Sequence, residues 1–142
     1  MKWIVILFCA AMFLGCGTEN GGNEVSSEAP KEKTRQQEKY TGNLLCIVPE
    51  KGTAEFKMTQ ESDYFLKGLV NYDSLQLAYS VNTVIYPLND SAVIEEMQDV
   101  VTIGYYHIKE YELPDGTKRL KGHWVSKDNT KRIDNLEFEN VK

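Results

Sequence analysis

Beyond residue 40, apolar and polar residues alternate in short runs broken by turn-forming residues, a period of two that marks strands with one buried face. In residues 53–59 (TAEFKMT), Ala54, Phe56 and Met58 share a face, with Glu55 and Lys57 opposite. Residues 64–72 group Tyr64, Leu66, Val70 and Tyr72, and residues 74–81 group Leu75, Leu77, Tyr79 and Val81, with Asp73-Ser74 as a tight turn between them. Near the C-terminus Leu136 and Phe138 alternate with Glu137 and Glu139. Only residues 89–99 (NDSAVIEEMQD) depart from this rhythm. There Asp90 or Ser91 suits a helix cap, so one short helix is predicted over 90–98, with Glu95 and Glu96 as solvated acids within it. The expected fold is all-β: a small antiparallel barrel or sandwich of about 7–8 strands, short meander connections favouring the barrel.

The segment 100–126 is the most informative. Two alternating runs flank Leu113-Pro114-Asp115-Gly116, a composition suited to a type I turn closed by a glycine in the left-handed region. Counting outward from Leu113 opposite Thr117 sets Glu112 against Lys118, Glu110 against Leu120, Ile108 against Gly122, His107 against His123 and Tyr106 against Trp124. That register gathers Tyr106, Ile108, Leu120 and Trp124 on an apolar face, with Gly122 leaving room for Trp124 and Ile108. Tyr105, His107, Lys109, Tyr111, Arg119, Lys121 and His123 then form a polar, basic face. A slip of one residue would mix the two faces, because side chains alternate with period two.

These faces define the candidate chemistry. Tyr106, Glu110 and Trp124 are the residues expected to meet a ligand if the apolar face lines a cavity. His107 and His123, directly opposed, would have Cβ atoms about 4.5–5.5 Å apart and could share a metal ion. Zinc sites use three or four protein ligands, and Lys109 and Lys121 on the same face repel a cation. Two exposed imidazoles on a solvent face are the competing reading.

At the N-terminus, Lys2 precedes an uninterrupted apolar run from Trp3 to Leu14. The run is too short for the roughly 20 residues that cross a bilayer, and it ends in Gly15-Cys16-Gly17 followed by polar residues. Residues 1–15 therefore read as a signal peptide. Phe13-Leu14-Gly15-Cys16 resembles the lipobox of bacterial lipoproteins, in which a small residue precedes a cysteine that carries diacylglycerol. The resemblance implies a lipid-anchored protein of the bacterial cell envelope whose mature chain begins at Cys16. Gly17 after that cysteine is similar to the outer-membrane sorting pattern of organisms with two membranes. Residues 16–39 then form the lipidated cysteine and a disordered tether, GTENGGNEVSSEAPKEKTRQQEK, with a span of about 25–30 Å. Residues 40–142 form a single β-rich domain.

The net charge of −5 carries no polyanion-binding footprint, so no nucleic-acid partner is expected. The local basic cluster of Lys118, Arg119, Lys121, Lys127, Lys131 and Arg132 reads as a solvated hairpin face. Of three cysteines, Cys9 leaves with the signal and Cys16 takes lipid. Cys46, among Leu44, Leu45, Ile47 and Val48, is expected to be a buried thiol, an intermolecular disulfide being the alternative. No nucleophile elbow, zinc-helix motif or phosphate loop occurs, so neither an enzyme nor a cofactor is expected. The closing stretch LKGHWVSKDNTKRIDNLEFENV is loosely similar to the last strands of lipocalin-like barrels through Gly122-x-Trp124, a resemblance that implies a barrel and no site. The expected function is a membrane-anchored module that binds a small apolar ligand or an envelope protein. The alternative is a metal-handling protein or hydrolase using His107, His123 and Glu110. An open aromatic-lined lumen would favour the ligand, and a filled barrel would favour surface recognition.

Overall fold

A computed structural model of the protein describes residues 38–141; the signal segment 1–15, Cys16 and the tether to residue 37 lie outside the described residues. Eight strands follow in order: β1 (Gly42–Val48), β2 (Gly52–Ser62), β3 (Phe65–Tyr72), β4 (Leu77–Tyr86), β5 (Ser91–Gln98), β6 (Val101–Glu112), β7 (Lys118–Ser126) and β8 (Arg132–Val141). Each pairs antiparallel with the next, and β1 pairs with β8, so the sheet closes as an up-and-down barrel rather than splitting into a sandwich. Closure leaves no free sheet edge over the paired residues, which is how a meander of this length satisfies its backbone.

The alternation read along the chain sorts side chains as expected. Ala54, Phe56, Met58, Leu66, Val70, Tyr72, Leu136 and Phe138 are all buried. The β6–β7 register is the one counted out from the turn, from Glu112 opposite Lys118 to Tyr106 opposite Trp124. Its loop is closed by Leu113 N–H to Thr117 O at 2.8 Å and Gly116 N–H to Leu113 O at 2.8 Å, with Gly116 at φ 80°. Cys46 faces inward, and burial pushes its thiol pKa up to about 12.

Two expectations are corrected. Residues 91–98 form strand β5, not a helix: its inward positions are Ala92, Ile94 and Glu96, and β4 and β6 pair along both its sides. A helix here would open the barrel and strand the backbone groups of two neighbours, which outweighs the local capping signal of Asp90 and Ser91. Asp90 instead ends a 3-10 turn, Pro87–Asn89, in the left-handed conformation. The turn after β3 is also longer than Asp73-Ser74; it runs through Gln76, which donates to Tyr72 O at 3.0 Å, so Leu75 lies in the turn and is exposed.

An eight-stranded barrel is just wide enough for its inward side chains to fill it or to hold one small ligand. Here they fill it. Phe56, Tyr106 and Phe138 pack ring to ring with centroids 5.1–6.1 Å apart, and Leu44, Phe56, Leu66, Ile94 and Tyr106 expose no surface at all. One end is sealed by the chain itself. Residues 38–40 form a helical turn whose Tyr40 is fully buried, and Asn140 Nδ2 lies 3.0–3.4 Å from the carbonyl oxygens of Glu38, Lys39 and Thr41. Lys39 pairs with Glu110 at 3.0 Å and Asp90 at 3.5 Å, so the last residues ascribed to the tether take part in closing the barrel.

Candidate functional site

The other end carries the four hairpin turns that follow β1, β3, β5 and β7. Just below them lies Glu96, a fully buried carboxylate. A buried carboxylate is tolerated only when its oxygens are hydrogen-bonded or paired. Each oxygen of Glu96 has such partners. Oε1 accepts from the Tyr72 hydroxyl, while Oε2 accepts from the Trp124 indole Nε1 at 3.0 Å and from Lys51 Nζ at 3.5 Å. The Tyr72 and Tyr106 hydroxyls are also bonded to each other. Because Tyr72 has one proton and gives it to Glu96, the Tyr106 hydroxyl must donate to Tyr72, making a chain Tyr106 to Tyr72 to Glu96. Burial, with the Glu96 charge adding to it, raises both tyrosine pKa values far above the usual phenol, so both remain protonated donors.

The sequence places these groups together through three backbone features. Glu96 on β5 stands opposite Gly104 on β6, and Trp124 reaches it from β7, one strand further on. Gly104 makes that reach possible: a Cβ there would lie 2.5 Å from the Trp124 ring. The glycine that leaves room for the indole is therefore Gly104, while Gly122 lies against the backbone of His107, whose carbonyl a Cβ would meet at 2.0 Å. One irregularity lies at the tryptophan, between Gly122 and Trp124 in the β7–β8 pairing, and another lies at the glutamate, between Glu96 and Met97 in the β5–β6 pairing. Bulges of this kind re-aim side chains next to sites. The third feature is the β1–β2 turn, which presents Lys51. It is pinned to the β3–β4 turn by Thr53 N–H to Asp73 Oδ1 at 2.8 Å and by the Ser74 hydroxyl to Lys51 O. Gly52, at φ 82°, has no room for a Cβ beside Asp73 Oδ1.

From that turn the Lys51 ammonium lies 4.2 Å from the Trp124 ring centroid and 4.9 Å from that of Tyr72. Two open clefts meet at Trp124. One of about 550 Å³ runs between the β1–β2 and β7–β8 turns, past Lys51, Lys131 and Ile133. The second, of about 650 Å³, lies beside Ile103, Lys127 and Asp128.

Of the residues singled out from sequence, Tyr106 and Trp124 belong to this site. Glu110 shares their inner face but sits at the sealed end, bonded to Lys39 at 3.0 Å and Lys118 at 3.1 Å. Burial alone would raise its pKa, but the hydrogen bonds and charges of the two lysines outweigh it and hold the carboxyl below its ordinary value. His107 and His123 are opposed as expected and stack with ring centroids 4.9 Å apart on the outer wall. The three residues of the hydrolase alternative are thus not gathered. No group of three or more metal-ligating side chains occurs among the described residues. Sequence reading missed Glu96, Tyr72 and Lys51. The signal for Glu96 was the alternation Ala92, Ile94, Glu96, which the helix reading obscured. Comparison with protein-family models, curated proteins and solved structures finds no match to this chain.

Two outcomes follow. With Trp3→Phe leaving Trp124 as the sole indole, Gly104→Ala should push the ring off Glu96, red-shift its emission and cost about 1–3 kcal/mol in urea unfolding; unchanged emission contradicts the packing role of Gly104. Burial first, and then the Arg132 charge, lower the pKa of both histidines. The folded state then binds fewer protons than the unfolded one, so their contribution to stability is complete above about pH 6.5 and declines as pH falls below it. Imidazole NMR titrations should give both midpoints below 6.5, moving upward in Arg132→Gln; ordinary midpoints indifferent to that substitution contradict this assignment.

Proposed function

We propose that the protein is an envelope recognition module, anchored to the membrane by lipid on Cys16 and binding its target at the barrel end around Trp124. In organisms with two membranes the anchor lies in the outer one. The observation that carries the reading is the filled interior combined with two clefts that share Trp124 at one end. The buried ring packing of Phe56, Tyr106 and Phe138 supports recognition at the surface over a small apolar ligand in the interior. Leu75, Leu77, Val100 and Val101 add exposed apolar surface to the turns at that same end. Val100 is 94 % exposed and sits at φ 63°, a conformation that disfavours a β-branched residue. Exposed apolar side chains gathered on turns are a feature of interaction surfaces. The anchoring half of the reading is supported by the apolar run Trp3 to Leu14 and the lipobox-like segment ending at Cys16. The reading assigns the protein binding and no catalytic step.

In cells, Cys16→Ser should shift the protein from the membrane fraction to the soluble fraction, and unchanged membrane retention contradicts the anchor. A photo-crosslinker at position 131, on the cleft wall, should trap a partner that the same group at position 67, on the outer wall of β3, does not. Equal trapping from both positions contradicts recognition at the Trp124 end.

A further inference from the structure

The surroundings of Lys51 have the composition of an ammonium receptor. Its Nζ has a carboxylate oxygen at 3.5 Å and two aromatic faces at 4.2 and 4.9 Å. Ring faces and a desolvated carboxylate are the groups that bind organic cations. Contacts other than those of Lys51 also hold the receptor. The Tyr72 hydroxyl and the Trp124 indole hold Glu96 in place, and Gly104 and the hydroxyl of Tyr106 back the two aromatic groups. Lys51, by contrast, comes in from a turn on a flexible stem. Its side chain is 21 % exposed, and it lines the cleft of about 550 Å³ through which solvent reaches Trp124. Around that cleft Glu96 compensates Lys51 and Asp134 holds Arg132 at 2.7 Å, while Glu50, Asp128, Lys131 and Lys127 line the two clefts in equal numbers of each sign. An incoming ammonium that displaces that of Lys51 gives Glu96 one cation for another, and the Lys51 charge moves out to solvent.

We propose that Glu96, Trp124 and Tyr72 form a binding site for a primary alkylammonium group, occupied in the free protein by the side chain of Lys51. A primary amine is favoured over a quaternary one because the site offers a carboxylate oxygen that accepts a hydrogen bond. The Lys51 stem is unbranched, so the matching ligand is an unbranched aminoalkyl group, whether on a small amine or on the lysine of a polypeptide. This assigns a chemical class to the recognition end proposed above and rests on that reading for its location only. The test uses free amines on purified protein, so a failed membrane anchor or an absent partner leaves its result intact.

The experiment is amine complementation in the full chain carrying Trp3→Phe, so that Trp124 alone reports. Lys51→Ala removes the three methylenes and ammonium that propylamine restores. Propylamine should change Trp124 emission saturably in the K51A chain and raise its melting temperature. Half-saturation should come at amine concentrations about tenfold below those needed with Lys51 present, where the ligand must displace a tethered competitor. Adding Glu96→Gln to K51A should weaken the amine about tenfold through loss of the carboxylate. Tetramethylammonium should bind more weakly than propylamine, and 1-propanol not at all. Nα-acetyl-lysine methylamide, run beside propylamine, separates a polypeptide lysine from a small free amine as the source. If K51A is unfolded without amine, propylamine should restore the strand signal in circular dichroism while propanol does not. Propanol matching propylamine, or propylamine giving neither saturable emission change nor recovery of fold, overturns the proposal.

Discussion

The organising constraint of this barrel is a carboxylate buried where apolar packing would otherwise be expected. Removing an ion from water costs several kcal/mol unless charge and hydrogen bonds replace the solvent. Glu96 obtains both from Tyr72, Trp124 and Lys51, one group from each of three separate hairpins, with Tyr106 behind them. The carboxylate therefore ties together strands far apart in sequence. It also fixes the orientation of the two aromatic rings that form one end of the molecule.

The backbone bears the marks of that requirement. Gly104 is the position where β6 gives way to the indole, and irregular pairing occurs at Trp124 toward β8 and at Glu96 toward β6. The β1–β2 turn is held by Asp73 and Ser74 so that Lys51 arrives over the rings. The opposite end is closed differently, by Tyr40 and by the lysine pairs of Glu110. Each end thus contains a carboxylate, a tyrosine and a lysine. At the Glu96 end two clefts of about 550 and 650 Å³ meet at the group, whereas the cleft beside Lys39 and Lys118 is about 200 Å³.

The architecture was legible in the sequence wherever period two was clean. The register from Tyr106 opposite Trp124 to Glu112 opposite Lys118 could be counted from a four-residue turn, and the inward face of β2 from three alternating apolar residues. Residues 91–98 were not legible, because Asp90, Ser91 and two adjacent glutamates satisfy local helix rules while the pairing with β4 and β6 that overrides them is non-local. The site was hidden for the same reason. A buried glutamate looks like a solvated one until its strand is placed, and Lys51 looks like any turn lysine. Tyr106 and Trp124 were found because their cross-strand pairing is local, whereas Tyr72 was read only as an inward core residue. Their chemical partner on β5 was not found. Glu110 shows the limit of face assignment: it was placed on the correct inner face but at the other end of the barrel.

The proposed function is recognition at the Trp124 end of a domain whose N-terminal segment resembles a lipid anchor. That account requires the ammonium of Lys51 and the carboxylate of Glu96 to act as one unit. A double-mutant cycle of Lys51→Met and Glu96→Gln, read by urea unfolding, tests this most directly. The expected result is a coupling of about 1–3 kcal/mol, each single substitution being costly and the second adding little to the first. Strictly additive effects, with coupling below about 0.5 kcal/mol, would contradict it.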